Sequence, residues 1–259
     1  MKFSCCIDMM YGGLDISDRV RAAKNDSVGA VEFWKWSDKN VDLLRKILDE
    51  TGMKAALCNL DSSDKDLSAS LMRGILSHRR VEDLKRAIGD SAPVMRKLGI
   101  DKAIVLAGDI DPGIEYDRAV ENTRDTLREG VKAAEDEGIM LILEPLNSYD
   151  RASYVMPYSA PAFDIVHDIN SPALKVLLDL YHTQRMEGNL IYTLEKEIDF
   201  IGHFHVANSP WRCEPSLGEI DYRQVFAAIE ASGYQHYVGF EYRQKNADFS
   251  LCEWLREVR

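Results

Sequence analysis

The chain has 259 residues and a formal net charge of −11, with 43 acidic residues against 32 lysines and arginines. No run of basic residues could neutralise a row of phosphates, so nucleic acid is a poor candidate partner. No stretch reaches the roughly 18 apolar residues that a membrane span requires, so we expect a soluble protein without a membrane partner.

Eight short apolar runs, rich in β-branched residues, predict β-strands. In chain order they are Phe3–Ile7, Ala30–Trp34, Lys54–Cys58, Ala103–Leu106, Met140–Glu144, Lys175–Asp179, His203–Val206 and Tyr237–Glu241. Their interiors are nearly continuously apolar, which is typical of strands covered by helices on both faces. Parallel pairing is therefore expected.

Amphipathic segments lie between the predicted strands, and several end at a glycine. The clearest are Val41–Thr51, Val81–Leu98, Ala119–Glu137 and Tyr222–Ser232, followed by Gly52, Gly99, Gly138 and Gly233 respectively. The segment from Asn59 to His78 is polar and longer than most loops. Loops of that size are often lids or binding loops.

This alternation predicts an α/β fold, a single (β/α)8 TIM-barrel domain over residues 1–259. An open doubly wound sheet could also be built from such repeats. A nucleotide-binding sheet of that kind carries a GxGxxG turn after its first strand, and no such turn follows Phe3–Ile7.

Four of the predicted strands end on a side chain that can bind a hard metal ion, namely Glu144, Asp179, His205 and Glu241. All strands of a barrel open their carboxyl ends on one face, so these side chains are expected to converge. Three carboxylates with one imidazole favour Mn²⁺, Mg²⁺ or Co²⁺, because catalytic Zn²⁺ usually takes more His or Cys ligands. Such an ion could also bind adjacent carbonyl and hydroxyl oxygens of a substrate.

A single acidic residue at a strand end has a simpler explanation, because it often caps the next helix or pairs with a surface arginine. Any one of the four residues could be explained in that way. Four such residues in a chain with only six histidines are harder to attribute to chance and favour a site.

Three motifs in the second half of the chain resemble a known superfamily. They are Glu144-Pro145-Leu146-Asn147, Asp179-Leu180-Tyr181-His182 and His203-Phe204-His205-Val206. They are similar to the xylose-isomerase-like TIM barrels, which include sugar isomerases, ketose 3-epimerases and hydroxypyruvate isomerases. The run from Tyr181 to Gly188, with Glu214-Pro215 and the run from Gly218 to Tyr222, resembles the hydroxypyruvate isomerases in particular. The first half matches more loosely, through Val31-Glu32-Phe33.

The resemblance implies roles for individual residues. The metal ligands would be Glu144, Asp179, His205 and Glu241. Glu144 and Glu241 would also transfer the proton, while His182 and Arg212 would contact the substrate.

A 1,2-isomerisation moves a proton between adjacent carbons through an enediolate, so one carboxylate must remove the proton and another must return it. Glu144 and Glu241 can do both. His182 and Arg212 would stabilise the enediolate charge beside three carboxylates, and Arg212 could bind a substrate carboxylate bidentately.

Both of these substrate contacts have structural alternatives. His182 could cap a helix or bond to a backbone carbonyl. Arg212 could pair with Glu214 or Glu219 on the surface.

Two further expectations concern side chains near the predicted strand ends. His203 is predicted to point to the opposite strand face from His205 and to be structural. Trp34, Trp36 and Trp211 could line a pocket for the substrate, although aromatic residues near strand ends are more often packing residues.

The expected activity is isomerisation of hydroxypyruvate or of a similar short keto acid such as a 2-oxo-tetronate. A ketose 3-epimerase stays an alternative, because some hydroxypyruvate isomerases carry Gln where this chain has His205, whereas the 3-epimerases carry His. A non-catalytic sugar or metal binder is less favoured, because it would need no second glutamate for proton return. Apurinic endonucleases share the barrel, but six histidines and an acidic surface argue against them.

Five cysteines form an odd set without a CxxC pair, so neither a disulfide framework nor a zinc ribbon is indicated. A reducing cytoplasm is the expected location. The expected partner is a small keto acid or sugar, and a homo-oligomer is compatible with the sequence.

Overall fold

The strands form a closed parallel barrel in the computed structural model, which describes residues 1–258. Their bounds are β1 Lys2–Cys6, β2 Ala30–Phe33, β3 Lys54–Asn59, β4 Lys102–Leu106, β5 Met140–Glu144, β6 Leu174–Asp179, β7 Ile201–Val206 and β8 Tyr237–Phe240. The order around the barrel is the order in the chain, and β1 closes it by pairing with β8. The prediction of a (β/α)8 TIM barrel is confirmed.

The strand interiors are buried because helices cover the outside of the barrel while side chains fill its inside. All residues of β4 and β7 are buried, for example. The predicted strands therefore match closely, and the largest difference is that β7 begins at Ile201 instead of His203.

The helices are α1 Ile7–Met10, α2 Ile16–Asn25, α3 Val41–Thr51, α4 Lys65–Arg73, α5 Val81–Leu98, α6 Tyr116–Glu137, α7 Ser159–Ile169, α8 Leu180–Met186, α9 Leu190–Glu197, α10 Tyr222–Ala231 and α11 Leu251–Val258. Two 3-10 helices lie at Leu76–His78 and Ile198–Phe200. At the end of α5, Gly99 has a φ of 75°, a left-handed conformation that glycine adopts without a steric penalty. Across residues 1–258, none of these helices combines the length and the apolar character needed to cross a membrane.

The expectation of a long loop from Asn59 to His78 is wrong, because this segment contains α4 and a 3-10 helix. Asp64 caps α4 by accepting hydrogen bonds from the backbone N–H groups of Asp66 and Leu67. Leu67 is buried one turn before Leu71, also buried. The polar composition concealed a short amphipathic helix with its own N-cap.

Candidate active site

The four residues predicted to converge do meet at the carboxyl end of the barrel. Glu144 and Asp179 end β5 and β6, His205 lies within β7, and Glu241 directly follows β8. All four are buried, and each offers one ligand atom such that these atoms lie within 4.8 Å of one another. Neighbouring strands of one barrel therefore bring together residues that are far apart in the sequence.

Asp179 uses its two carboxylate oxygens differently. Oδ1 accepts hydrogen bonds from the backbone N–H groups of Tyr181 at 2.8 Å and His182 at 3.2 Å, and so caps α8. Oδ2 is buried and has no hydrogen-bond partner within residues 1–258. Helix capping therefore accounts for Oδ1 only. Oδ2 lies on the side of the cluster and is available to a ligand.

His205 is oriented by a glutamate on the opposite side of the barrel. Its Nε2 lies 2.9 Å from Oε2 of Glu32, which is on β2. Its Nδ1 faces the cluster, 3.4 Å from Oε2 of Glu241 and 3.8 Å from Oε1 of Glu144. Glu32 can thus hold a proton on Nε2 and leave the Nδ1 lone pair available to a metal ion.

Three further residues position the Glu32 carboxylate. The hydroxyl of Ser4 donates a hydrogen bond to Oε1, and Nε2 of His203 lies 2.9 Å from the same oxygen. A Cβ atom at position 239 would lie 2.3 Å from Oε1, so only Gly239 leaves room for this carboxylate. Burial would raise the pKa of Glu32, but His203 and His205 outweigh that effect and hold it well below its usual range.

The prediction that His203 points away from His205 is wrong. The two rings have centroids 5.1 Å apart, and both contact Glu32. The physical reason is the period of the strand, in which residues two positions apart point to the same face.

The two glutamates of the cluster have different surroundings. Burial raises the pKa of Glu144, and contact with His205 offsets only part of that rise. Burial would also raise the pKa of Glu241, but the charges of Arg212 and His205 hold it well below its usual range. Glu241 accepts a hydrogen bond from Trp34 Nε1 at 2.8 Å and one from Arg212 Nη2 at 2.6 Å.

Arg212 points into the cluster, and within residues 1–258 it pairs with Glu241 instead of a surface carboxylate. Its guanidinium also lies 3.7 Å from Oδ2 of Asp179. The suggested surface partner Glu214 is fully buried and accepts the backbone N–H groups of Lys245 and Asn246 instead. The surface-pair alternative for Arg212 is therefore wrong.

The backbone of Arg212 has a φ of 51°, in the left-handed region that few non-glycine residues adopt. An antiparallel bridge between Asn208 and Cys213 holds this turn, and the N–H of Arg243 donates to the carbonyl of Arg212 at 2.9 Å. The surrounding contacts thus maintain an unfavourable conformation that directs the guanidinium inward.

His182 presents a hydrogen-bond donor to the cluster. Its Nδ1 accepts the backbone N–H of Asn147 at 3.1 Å, which places the proton of the neutral ring on Nε2. Nε2 is buried without a hydrogen-bond partner in residues 1–258 and lies 3.7 Å from Oδ2 of Asp179. Burial lowers the pKa of His182 to about 4, so the ring is neutral at pH 7. The backbone group that His182 contacts is therefore the N–H of Asn147 and not a carbonyl.

The donor set fits a divalent cation. Oδ2 of Asp179 and Nδ1 of His205 are both buried without a hydrogen-bond partner in the described part of the chain, and both belong to the four-residue cluster. A buried acceptor without a partner, such as Oδ2 of Asp179, is costly unless a ligand satisfies it, and a bound cation would replace the proton that the surrounding carboxylates favour on Nδ1 of His205. Three carboxylates and one imidazole match the preferences of Mn²⁺, Mg²⁺ or Co²⁺.

Sequence reasoning assigned no role to Glu32 and did not identify the contact of Trp34 with Glu241. Glu32 belongs to a loosely matching motif, and a carboxylate inside an apolar strand is itself an unusual signal. Trp34 donates to Glu241, while Trp36 is buried against Ser91. Trp211, which is 54% exposed, lies at the mouth of the site.

Two relatives that are similar to the chain over its full length are named as isomerases. Hydroxypyruvate isomerase of Escherichia coli is 30% identical over 260 residues and covers 100% of both chains. The 2-oxo-tetronate isomerase of Cupriavidus necator is 30% identical over 256 residues, covering 98% of this chain and 97% of its own. An isomerase is the enzyme class that these relatives support.

Solved structures share the whole fold. A crystal structure named as a family 2 AP endonuclease from Brucella melitensis aligns with a TM-score of 0.87 and 25% identity over 100% of both chains. That of 3-keto-D-glucoside 4-epimerase from E. coli aligns with a TM-score of 0.79 and 22% identity over 99% of both chains. Residues 20–258 match the family model described as xylose isomerase-like TIM barrel. The chain therefore belongs to the xylose isomerase-like TIM-barrel family.

Proposed function

We propose that this protein is a metal-dependent isomerase of hydroxypyruvate or a similarly short keto acid. The observation that carries the proposal is the buried cluster of Glu144, Asp179, His205 and Glu241, which pairs two glutamates with a metal-binding donor set. Full-length similarity at 30% identity to hydroxypyruvate and 2-oxo-tetronate isomerases supports the choice of substrate.

The four residues of the cluster would hold Mn²⁺, Mg²⁺ or Co²⁺. When bound, such an ion would polarise a substrate carbonyl and acidify the neighbouring C–H. Glu32 would keep the His205 ring in the orientation that turns Nδ1 towards the cluster, since it contacts Nε2 at 2.9 Å.

Glu144 and Glu241 would carry the proton. One carboxylate takes a proton from the hydroxymethyl carbon of the keto acid, and the electron pair left behind forms the enediolate. A proton is then returned to the former carbonyl carbon, while the hydroxyl oxygen loses its proton and the former carbonyl oxygen gains one, which yields the aldehyde. Arg212 and Trp34 hold Glu241 from two sides, and this contact would fix its position through the transfer.

His182 and Arg212 would bind the substrate. The Nε2–H of His182 is a buried donor without a partner in residues 1–258, and an oxygen that gains negative charge is the group that such a donor stabilises. Arg212 brings a positive charge to the same place, 3.7 Å from Asp179.

A ketose 3-epimerase is the second candidate, and His205 is the observation that favours it. Some hydroxypyruvate isomerases carry Gln at the corresponding position, whereas the 3-epimerases carry His. The same pair of glutamates would serve, because epimerisation also removes a proton and returns one.

Proton exchange in D₂O separates these functions. Metal-loaded protein incubated with hydroxypyruvate should exchange the hydrogens of the hydroxymethyl carbon, which NMR detects. Exchange at C3 of a neutral ketose, without exchange in hydroxypyruvate, would support the 3-epimerase. No exchange in either compound would support a non-catalytic binder.

We also propose a single domain over residues 1–259, a cytoplasmic location and no nucleic-acid partner. All five cysteines are free, which suits a reducing compartment. The net charge of −11 disfavours a polyanionic ligand.

A further inference from the structure

A cavity of about 410 Å³ lies beside the cluster at the mouth of the barrel. Its lining includes three arginines, Arg185, Arg212 and Arg243. Arg185 is in α8, directly after β6, while the other two follow β7 and β8. Two of these strands carry Asp179 and His205, and Glu241 directly follows the third, so three arginines lie beside the acidic cluster.

Some of the charged side chains that line this cavity have polar or charged partners, and others have no partner of opposite charge. Arg212 is bound to Glu241, and Asp150 accepts hydrogen bonds from Tyr181 at 2.9 Å and from Asn147 at 3.0 Å. Within residues 1–258, neither Arg185 nor Arg243 forms an ion pair with a carboxylate. Two arginines without acidic partners are notable in a chain of net charge −11.

Arg185 is held by contacts of its guanidinium, whereas Arg243 is exposed and is held through its backbone. Nη1 of Arg185 donates to the carbonyl of Pro210 at 2.7 Å, and its guanidinium lies over the ring of Tyr149 at 4.3 Å. The backbone N–H of Arg243 donates to the carbonyl of Arg212. These contacts leave guanidinium N–H groups available for a ligand, because each guanidinium has five donors.

We propose that Arg185 and Arg243 form an outer anion subsite that binds the carboxylate of an acidic substrate. The oxygens on the reacting carbons of the substrate then face the cluster. Arg212 contacts those oxygens instead of binding the carboxylate. This inference rests on the proposed function for the identity of the substrate. The subsite itself rests on the cavity and its arginines.

The kinetic test compares Arg185→Gln, Arg243→Gln and the double variant with the metal-loaded wild type. An arginine–carboxylate contact is a charge-assisted hydrogen bond, so each single change should raise KM for hydroxypyruvate about tenfold and leave kcat within about threefold. A neutral ketose such as D-fructose should be handled equally by all four proteins. Arg223→Gln is the matched control, because this exposed arginine lines a different cavity beside Met1 and Phe3.

A binding measurement keeps the subsite testable without turnover. Succinate titrated calorimetrically into metal-loaded protein should bind about tenfold or more weakly to the double variant, and equally to wild type and Arg223→Gln. If this pattern holds but hydroxypyruvate is never converted, the subsite stands and the proposed function fails. Unchanged succinate affinity together with unchanged KM overturns the subsite. If inorganic phosphate binds through the two arginines and succinate does not, the assignment to a carboxylate is wrong.

Discussion

The two halves of the barrel contribute differently to the candidate site. Strands β5 to β8 carry or adjoin all four members of the cluster, together with His182 and Arg212. Strands β1 and β2 supply the residues that hold those members, namely Ser4 and Glu32, with Trp34 directly after β2. The second half thus presents the groups that we propose to react, and the first half contacts and orients them.

This difference explains why more of the candidate site could be predicted from the second half of the sequence. Its reacting groups lie at strand ends inside short motifs, where polar residues are conspicuous. The roles of the supporting residues in the first half depend on contacts across the barrel. Glu32, for example, contacts His205, which lies 173 positions later in the sequence. The following predictions test whether the two halves act in these separate ways.

Removal of the metal should have the largest effect. Chelation is expected to abolish turnover and to lower the melting temperature, because the buried carboxylates would then repel one another and binding of the ion no longer favours the folded state. Adding Mn²⁺, Mg²⁺ or Co²⁺ should restore both. Full turnover by protein shown to be metal-free by elemental analysis would contradict metal dependence.

Glu144→Gln and Glu241→Gln should each reduce kcat by about a hundredfold or more, with a smaller change in KM, because each removes a proton-transfer group. The bound metal must be quantified in each variant, since both residues are also candidate ligands. Glu219→Gln is the control from the same face of the barrel. A variant that keeps its metal and full turnover would exclude its glutamate from proton transfer.

Arg212→Met should lower kcat/KM by about tenfold to a hundredfold, because a charge-assisted contact of roughly 1.5–3 kcal/mol is lost. The loss should be similar for hydroxypyruvate and for a neutral ketose that the enzyme accepts, since Arg212 contacts Glu241 and Asp179. A much larger loss for the keto acid, measured on one preparation, would show that Arg212 also binds the carboxylate.

Glu32→Gln probes the supporting half. It should weaken Mn²⁺ binding by about tenfold to a hundredfold, because His205 loses the carboxylate that orients its ring. Titration calorimetry measures this without relying on turnover. Glu197→Gln is the matched control, since this buried glutamate contacts His167 at 2.8 Å, outside the candidate site. Equal metal affinity in both variants would remove Glu32 from the site.

Trp34→Phe should have the smallest effect, a reduction of kcat by about fivefold, because it removes one hydrogen bond of about 1 kcal/mol from Glu241. Trp36→Phe is a closely matched control, since its Nε1 donates to Ser91 instead. Steady-state kinetics on both variants would measure the difference. Equal kcat values would show that the contact with Trp34 does not position Glu241 for catalysis.

The sequence by itself determined the barrel and the cluster. Continuous apolar runs identify strands buried on both faces, and glycines such as Gly99 mark the ends of helices. The barrel geometry then requires the strand ends at Glu144, Asp179 and Glu241 to share one face. These inferences use local periodicity and one topological rule, so they need no knowledge of individual contacts.

Only the tertiary structure decided which partner each polar group takes. Glu32 meets His203 and His205 because β2 and β7 face each other across the barrel, and no local pattern encodes that distance. Arg212 turns inward to Glu241 because its left-handed backbone directs it there, while backbone N–H groups already occupy Glu214. A hydrogen bond depends on direction and separation to a fraction of an ångström, and the packed fold alone sets both.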